Sequence, residues 1–229
     1  MPSAAELEIL GLSLKVALWG LAASLPFAIA VAFVLARKSF PGKTLFDAAV
    51  HLPLVLPPVV VGFVLLVLFG TQGPIGRLLE PLGIVFVFRW TGAALAAAIM
   101  GFPLMVRAIR LAIEAVDPRL ESAARTLGAN RARVFFTVTL PLSVSGVITG
   151  ALLAFARALG EFGATITFVS NIPGETRTLP LAIYTFTQVP GGDAQAWRLS
   201  ILSVLLSLAA LAFSEWLARR SHPADSRHA

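Results

Sequence analysis

DPRLESAARTLGANRARVFFTVTLP, residues 117–141, is a charged and helix-prone stretch that lies between two long apolar runs. Asp117 offers a side-chain oxygen to the free amides of a helix start, and Pro118 suits the first helical position. A short helix is therefore predicted over residues 118–127, with Gly128 as its left-handed end. One or two further helical turns are predicted over residues 131–139, leading into the membrane.

The apolar runs on either side are long enough to cross a membrane. The chain has 229 residues, of which 57% are hydrophobic and 13% are charged, and this is too little charge to cover a water-facing surface. A spanning helix needs roughly 20 mostly apolar residues, and continuous runs favour helices over alternating strands. The windows that qualify are residues 10–35, 48–70, 91–111, 134–156 and 198–218. The sequence therefore predicts an all-α membrane protein with five transmembrane helices.

The basic residues are shared unevenly between the loops, which predicts an orientation. One set of loops carries Arg37, Lys38, Lys43, Arg107, Arg110, Arg119, Arg125, Arg131, Arg133, Arg219, Arg220 and Arg227. The opposite set carries only Arg77, Arg89, Arg177 and Arg198, while Lys15 and Arg157 are assigned to the predicted helices and to neither set of loops. Because positive loops stay in the cytoplasm, the N-terminus is predicted outside and the C-terminus inside, with residues 219–229 as a cytoplasmic tail. The same distribution explains the net charge of +6 without nucleic-acid binding.

Two charges of opposite sign follow closely after the apolar window 134–156. Arg157 and Glu161 are four residues apart and would share a face of a continuous helix. A charge near the bilayer centre costs at least ~2.5 kcal/mol, so burial there requires a partner or a polar path. The pair either lines the outer end of a solute pathway, with Arg157 attracting an anion, or locks helix packing. Gly163 and Thr165 come shortly after this pair in the sequence and are also candidates for lining the pathway.

The window over residues 48–70 carries prolines in its first two turns. Pro57 and Pro58 remove backbone donors and predict a bend. This bend either lines or hinges a pathway, as broken helices do in transporters, or is a packing kink. Residues 179–189 are apolar but about half the spanning length, which predicts an external or re-entrant helix closed by Gly191 and Gly192.

Several classes of site are not supported by the sequence. There is no cysteine, which excludes disulfides and thiolate metal sites. His51, His222 and His228 are too scattered for a metal site, and no serine nucleophile with a base appears in the apolar windows. Gly42-Lys43-Thr44 has only the end of a phosphate-binding loop. We therefore expect neither catalysis nor a bound cofactor in this chain.

The predicted helix at residues 118–127 has the features of a docking element. Ser122, Ala123 and Ala124 are small, so a groove of another protein can approach them closely. Glu121 and Arg125 lie beside them and can fix the register by charge. The alternative is an amphipathic helix at the membrane surface.

The residue spacing in this loop resembles that of ATP-binding cassette (ABC) importer permeases. Their pattern is Glu-Ala-Ala, three residues, Gly, nine residues, Ile, one residue, Leu-Pro. Matching spacings are found at Ala123-Ala124, Gly128, Val138 and Leu140-Pro141. The family's glutamate position holds Ser122, with Glu121 one residue earlier. FARALGEFGATITFVSNIPGETRTLP, residues 155–180, is similar to the molybdate permeases of this class, and the resemblance extends over residues 10–218.

The resemblance implies a type I importer transmembrane domain over residues 10–218 in a bacterial inner membrane. It implies a homodimer, a cytoplasmic ABC ATPase dimer that uses ATP and Mg²⁺, and a periplasmic oxyanion-binding protein. The predicted ATPase-docking residues are Glu121, Ser122, Ala123, Ala124, Arg125, Gly128, Leu140 and Pro141. The pathway candidates are Arg157, Glu161, Gly163, Thr165, Pro57 and Pro58. Molybdate is the expected cargo. Sulfate or tungstate, and an ion-coupled transporter using Glu161 as proton carrier, are the alternatives.

Overall fold

The longest helix of the fold, α1, extends over Ala4–Arg37 and packs along α5, Trp90–Ala115. A computed structural model describes residues 3–221. The start of α1 is fixed by Ser3, whose side chain accepts a hydrogen bond from the Glu6 amide while the Glu6 carboxylate accepts one from the Ser3 amide. No strand is assigned within residues 3–221, which agrees with the predicted all-α class. Residues 222–229 of the predicted tail lie outside the described residues.

The predicted bend in the second apolar window is confirmed. Helix α2, Lys43–Val55, and helix α3, Pro58–Phe69, meet at an angle of 112°. Leu56 and Pro57 are both extended, with ψ of 142° and 133°. Each precedes a proline, and the proline ring disfavours helical backbone at the residue before it. Two successive prolines therefore open the helix at this point.

Several of the elements between α3 and α9 are short. Helix α4, Pro74–Leu79, precedes a 3₁₀ turn at Glu80–Leu82, and helix α6 covers Pro118–Thr126. Helix α7, Arg131–Val134, continues through a π-helical segment at Phe135–Thr139 into α8, Leu140–Leu142. Helix α9, Val144–Leu159, follows after a bend of 69°.

Three further helices complete the described chain: α10 at Gly163–Val169, α11 at Leu179–Thr187 and α12 at Asp193–Ser221. The short helix predicted over residues 179–189 is confirmed, but it ends at Thr187 with Gln188 as its C-cap and is not closed by the glycines. Gly191 has φ +79° in the turn that leads into α12. Helix α10 was not predicted from the sequence.

Membrane-spanning length is directly evident for part of the chain. Among the described residues, α1 and α5 are each long and apolar enough to cross a membrane. The bent pair α2–α3 and the bent pair formed by residues 131–142 and α9 would each add one span if the pair crosses as a unit. The total of five spans and the orientation of the termini stay predictions.

Small residues bring the long helices into close contact. A Cβ atom at Gly20 of α1 would lie 2.7 Å from the Ala94 carbonyl oxygen of α5. Gly146 and Gly150 of α9 likewise approach α5 so closely that added Cβ atoms would collide with it. This pair, which has the GxxxG spacing, therefore serves packing inside one subunit.

Candidate functional site

The helix predicted at residues 118–127 is present and is capped by its own side chains. An Asp117 carboxylate oxygen accepts a hydrogen bond of 2.9 Å from the Arg119 amide. Helix α6 ends at Thr126, and Gly128 has φ +86°. Asn130 then caps α7 by accepting a hydrogen bond of 2.8 Å from the Arg133 amide. The predicted helix and its left-handed glycine stop are thus confirmed.

The outer face of α6 is open and mostly small or apolar. Ser122 and Ala123 are exposed, and Ala124 is half-buried. The Ser122 hydroxyl donates to the Pro118 carbonyl at 3.0 Å, so it is turned toward its own helix. Leu127 has 89% of its surface exposed at the tip of the turn. Helix α6 thus presents small residues on its outer side and one exposed leucine at its end, and its role as a docking surface stays a prediction.

Glu121 faces the other way, into the protein. Only 6% of its surface is exposed. One carboxylate oxygen accepts hydrogen bonds of 3.0 Å from Arg37 Nε and 3.0 Å from Thr139 Oγ1. Arg37 also donates from Nη2 to the Val116 carbonyl at 2.8 Å, and Arg125 lies 3.4 Å from the second Glu121 oxygen. Glu121 therefore ties α6 to the end of α1 and to the π-helical segment.

Arg37 and Thr139 were not singled out as site residues from the sequence. Arg37 was counted only among the basic loop residues, and Thr139 only as the end of a helical turn. Thr139 is 1% exposed and leads directly into Leu140 and Pro141, two of the predicted docking residues. Of these, Leu140 is half-buried and Pro141 is exposed. The network Arg37–Glu121–Thr139, here called the anchor, joins three elements that are remote in sequence.

A second group surrounds the turn between α9 and α10. Arg157 and Glu161 form an ion pair with 2.7 Å between Arg157 Nη1 and a Glu161 carboxylate oxygen. They do not lie on one continuous helix as assumed, since α9 ends at Leu159. Glu161 is 2% exposed, and its other oxygen accepts a hydrogen bond of 2.7 Å from the Ala164 amide. Glu161 therefore both pairs with Arg157 and caps α10, which explains why this helix forms.

The proline break lies beside this turn. A Cβ atom at Gly163 would lie 2.8 Å from Pro58 Cβ, and one at Gly62 would lie 2.5 Å from the Ala164 carbonyl oxygen. The backbones of helices α3 and α10 are therefore in close contact at Gly62 and Gly163. Thr165 is 1% exposed and is buried in the same packing. The structure thus places the predicted pathway residues of the proline break close to those of the turn between α9 and α10.

Comparison with known proteins decides the family. Residues 24–222 match the model of the family described as "Binding-protein-dependent transport system inner membrane component". The chain belongs to this family. The chain is 61% identical to the molybdenum transport system permease protein ModB of Escherichia coli (strain K12) over 223 residues, which is 97% of each chain. ModB of Haemophilus influenzae is 56% identical over 94% of each chain. The sulfate transport system permease protein CysW of Synechococcus elongatus is 42% identical over 69% of this chain and 55% of its own.

Solved structures of ABC transporters share the fold at low sequence identity. A bacterial ABC transporter involved in the import of the acidic polysaccharide alginate matches with a TM-score of 0.75 and 19% identity, over 96% of this chain and 80% of that chain. The methionine transporter MetNI matches with a TM-score of 0.69 and 14% identity, over 96% and 95%. The all-helical fold is therefore that of ABC importer transmembrane subunits.

Proposed function

We propose that this chain is the permease subunit of an ATP-driven molybdate importer in a bacterial inner membrane. The observation that carries the proposal is the 61% identity over 97% of both chains with a molybdenum transport permease. The exposed face of α6 supports it, because an importer driven by a separate motor needs a rigid element on which that motor can act. In this proposal the chain itself catalyses no reaction.

The proposed assembly contains two copies of this chain, a cytoplasmic ATPase dimer and a periplasmic oxyanion-binding protein. ATP and Mg²⁺ belong to the ATPase. The five apolar windows cross the membrane with the N-terminus outside, and the loop 117–141 faces the cytoplasm. This orientation is supported by the excess of basic residues on that side.

The proposed coupling starts at the exposed surface of α6. When ATP draws the two ATPase subunits together, the groove that holds Ala123 and Leu127 moves α6. The anchor transmits this displacement, because Glu121 is hydrogen-bonded to Arg37 at the end of α1 and to Thr139 ahead of α9. The spanning helices then open outward to accept the anion, and hydrolysis restores the inward state.

The proposed pathway passes the turn between α9 and α10. Arg157 retains 27% side-chain exposure although Glu161 is buried, so its guanidinium can present a positive field to a passing oxyanion. The α2–α3 break at Pro57 lies next to this turn and provides a joint where α3 and α10 move together. Glu161 keeps Arg157 oriented and α10 capped.

Replacing Arg157 by glutamine is expected to slow molybdate uptake at least about tenfold, ~1.4 kcal/mol of barrier. The loss follows from removing a positive charge facing an anion in a medium of low dielectric constant. Uptake is measured in proteoliposomes that contain the complete complex. Replacing Arg157 by lysine retains the charge and should preserve most of the rate.

A double variant separates transport from packing. With both Arg157 and Glu161 replaced by glutamine, neither residue of the pair carries a charge, and the new side-chain oxygen at 161 can still cap α10. The thermal midpoint should recover relative to the single Arg157→Gln variant, while uptake stays low. Recovery of uptake together with stability would assign the pair to packing alone.

The cargo is tested by competition. The reconstituted complex is given labelled molybdate with increasing tungstate or sulfate. Molybdate should be taken up and sulfate should compete weakly. Sulfate uptake at the molybdate rate, with no preference in competition, would reassign the chain to the sulfate permeases it also matches.

A further inference from the structure

A groove opens beside the anchor, between the end of α1 and the π-helical segment, and encloses about 700 Å³. Its rim carries the basic side chains of Lys38, Arg125 and Arg131, and its wall carries Phe33, Phe135 and Phe136. We call this the basic groove. It includes Arg125, one of the predicted docking residues, but not Ser122 or Ala123 of the outer face of α6, and it lies apart from the turn between α9 and α10.

The charges in the basic groove are not balanced. Glu121 is the single carboxylate that lines it, and this carboxylate is occupied by Arg37 and Thr139. Arg125 reaches Glu121 only at 3.4 Å. Lys38 and Arg131 form no ion pair with any described residue. The groove therefore has an excess of positive charge that favours an anionic ligand.

The apolar part of the groove is aromatic and partly open. The Phe33 and Phe135 rings are 4.9 Å apart and the Phe135 and Phe136 rings 5.0 Å apart, both edge to face. Phe136 is 65% exposed. A ligand that covers these rings must carry an apolar portion as well as a negative charge.

The position of the two halves relative to the apolar windows points to the source of this ligand. Phe33, Phe135 and Phe136 lie inside the windows 10–35 and 134–156, whereas Lys38, Arg125 and Arg131 lie outside them. Basic residues just beyond a span, above apolar and aromatic residues within it, match the boundary between headgroups and acyl chains. Basic pockets of this kind on the cytoplasmic side bind anionic headgroups.

We infer that the basic groove binds one anionic phospholipid, with the headgroup phosphate on Lys38 and Arg131 and an acyl chain along Phe135 and Phe136. The inference rests on the proposed membrane orientation. The bound lipid fills the space behind the anchor, between α1 and the π-helical segment, and so stiffens the path from α6 to the spanning helices.

The test compares lipids that differ only in headgroup charge. The assembled complex is equilibrated with phosphatidylglycerol and phosphatidylcholine of identical chains, and the retained lipids are counted by native mass spectrometry. The complex should prefer phosphatidylglycerol. Replacing Lys38 and Arg131 by glutamine should lower that preference about fivefold for each cation removed. Replacing Arg119 and Arg133 by glutamine, which removes the same amount of charge from the loop 117–141 but outside the groove, should leave it unchanged.

Other occupants give different results. Displacement of the lipid by inorganic phosphate would indicate a free-anion site. Lipid retained by the permease dimer alone but not by the assembled complex would indicate a contact with the ATPase. Either result would overturn the inference. Equal effects of the two double variants, or no headgroup preference, would do the same. If the variant with Lys38 and Arg131 replaced fails to assemble, the unmodified complex still tests the inference. Its preference for phosphatidylglycerol over phosphatidylcholine must weaken as the salt concentration rises. Molybdate uptake measured alongside tests the proposed function separately.

Discussion

Replacing Gly128 by valine is expected to reduce ATP-driven molybdate uptake at least about tenfold while the chain remains folded. Gly128 has φ +86°, and among the described residues no heavy atom would lie within 4 Å of an added Cβ atom. The cost therefore comes from the backbone and not from crowding within the chain. Left-handed backbone costs an ordinary residue roughly 1–2 kcal/mol, and a β-branched residue is especially unfavourable there. Valine should relax the turn and move Leu127 away from the position at which an ATPase could hold it.

The matched control is Gly128→Asn. Asparagine tolerates left-handed backbone because its short polar side chain bonds locally. This variant should keep most of the uptake rate and assemble with the ATPase. Both variants are compared for uptake in proteoliposomes and for ATPase association by size-exclusion chromatography. If the valine variant assembles and transports normally, α6 does not transmit the motion of the ATPase to the spanning helices.

The second large effect is expected at the anchor, where Glu121→Ala should uncouple ATP hydrolysis from uptake. The alanine leaves the Arg37 guanidinium without its buried carboxylate and the Thr139 hydroxyl without its acceptor. Removing one partner of a buried ion pair costs about 3 kcal/mol or more. Hydrolysis by the assembled complex should continue, while molybdate carried per ATP falls at least about fivefold. Glu121→Gln, which retains an acceptor oxygen, should be intermediate.

Glu114 provides the comparison for this prediction. It forms an ion pair of 2.8 Å with Arg110 four residues earlier, and its side chain is 39% exposed. Because exposed pairs contribute little, Glu114→Ala should leave the ratio of uptake to hydrolysis unchanged. In a second comparison, replacing both Arg37 and Glu121 by alanine removes the orphaned charge and should restore stability but not coupling. If that double variant carries as much molybdate per ATP as the parent complex, the anchor contributes only to packing.

The docking helix could be predicted from the sequence because its signals are local. Asp117, Pro118 and Gly128 act within one turn of the positions they specify, so the helix boundaries follow from capping and backbone preference alone. The bend at Pro57 is local for the same reason, since each proline restricts only the residue before it. Its angle of 112° depends on how α3 packs against α10 and does not follow from the two prolines.

The anchor and α10 depend on contacts that a single sequence does not reveal. Arg37 and Glu121 are 84 residues apart, and only the packing of α1 along α5 brings them together. Glu121 was therefore assigned to the docking residues by motif position, without the inward orientation that the structure shows. Helix α10 has seven residues and no capping residue of the usual kind at Phe162, so the role of Glu161 as its cap became evident only from the fold.

The most direct test of the account is whether uptake depends on the ATPase that α6 is proposed to bind. Proteoliposomes are prepared with this chain, the ATPase and the oxyanion-binding protein, and labelled molybdate uptake is measured with and without ATP on the ATPase side. Uptake should require both nucleotide and ATPase, and Gly128→Val should reduce it at least about tenfold. Uptake that persists without nucleotide and without the ATPase would contradict the account and favour an ion-coupled transporter with Glu161 as its proton carrier.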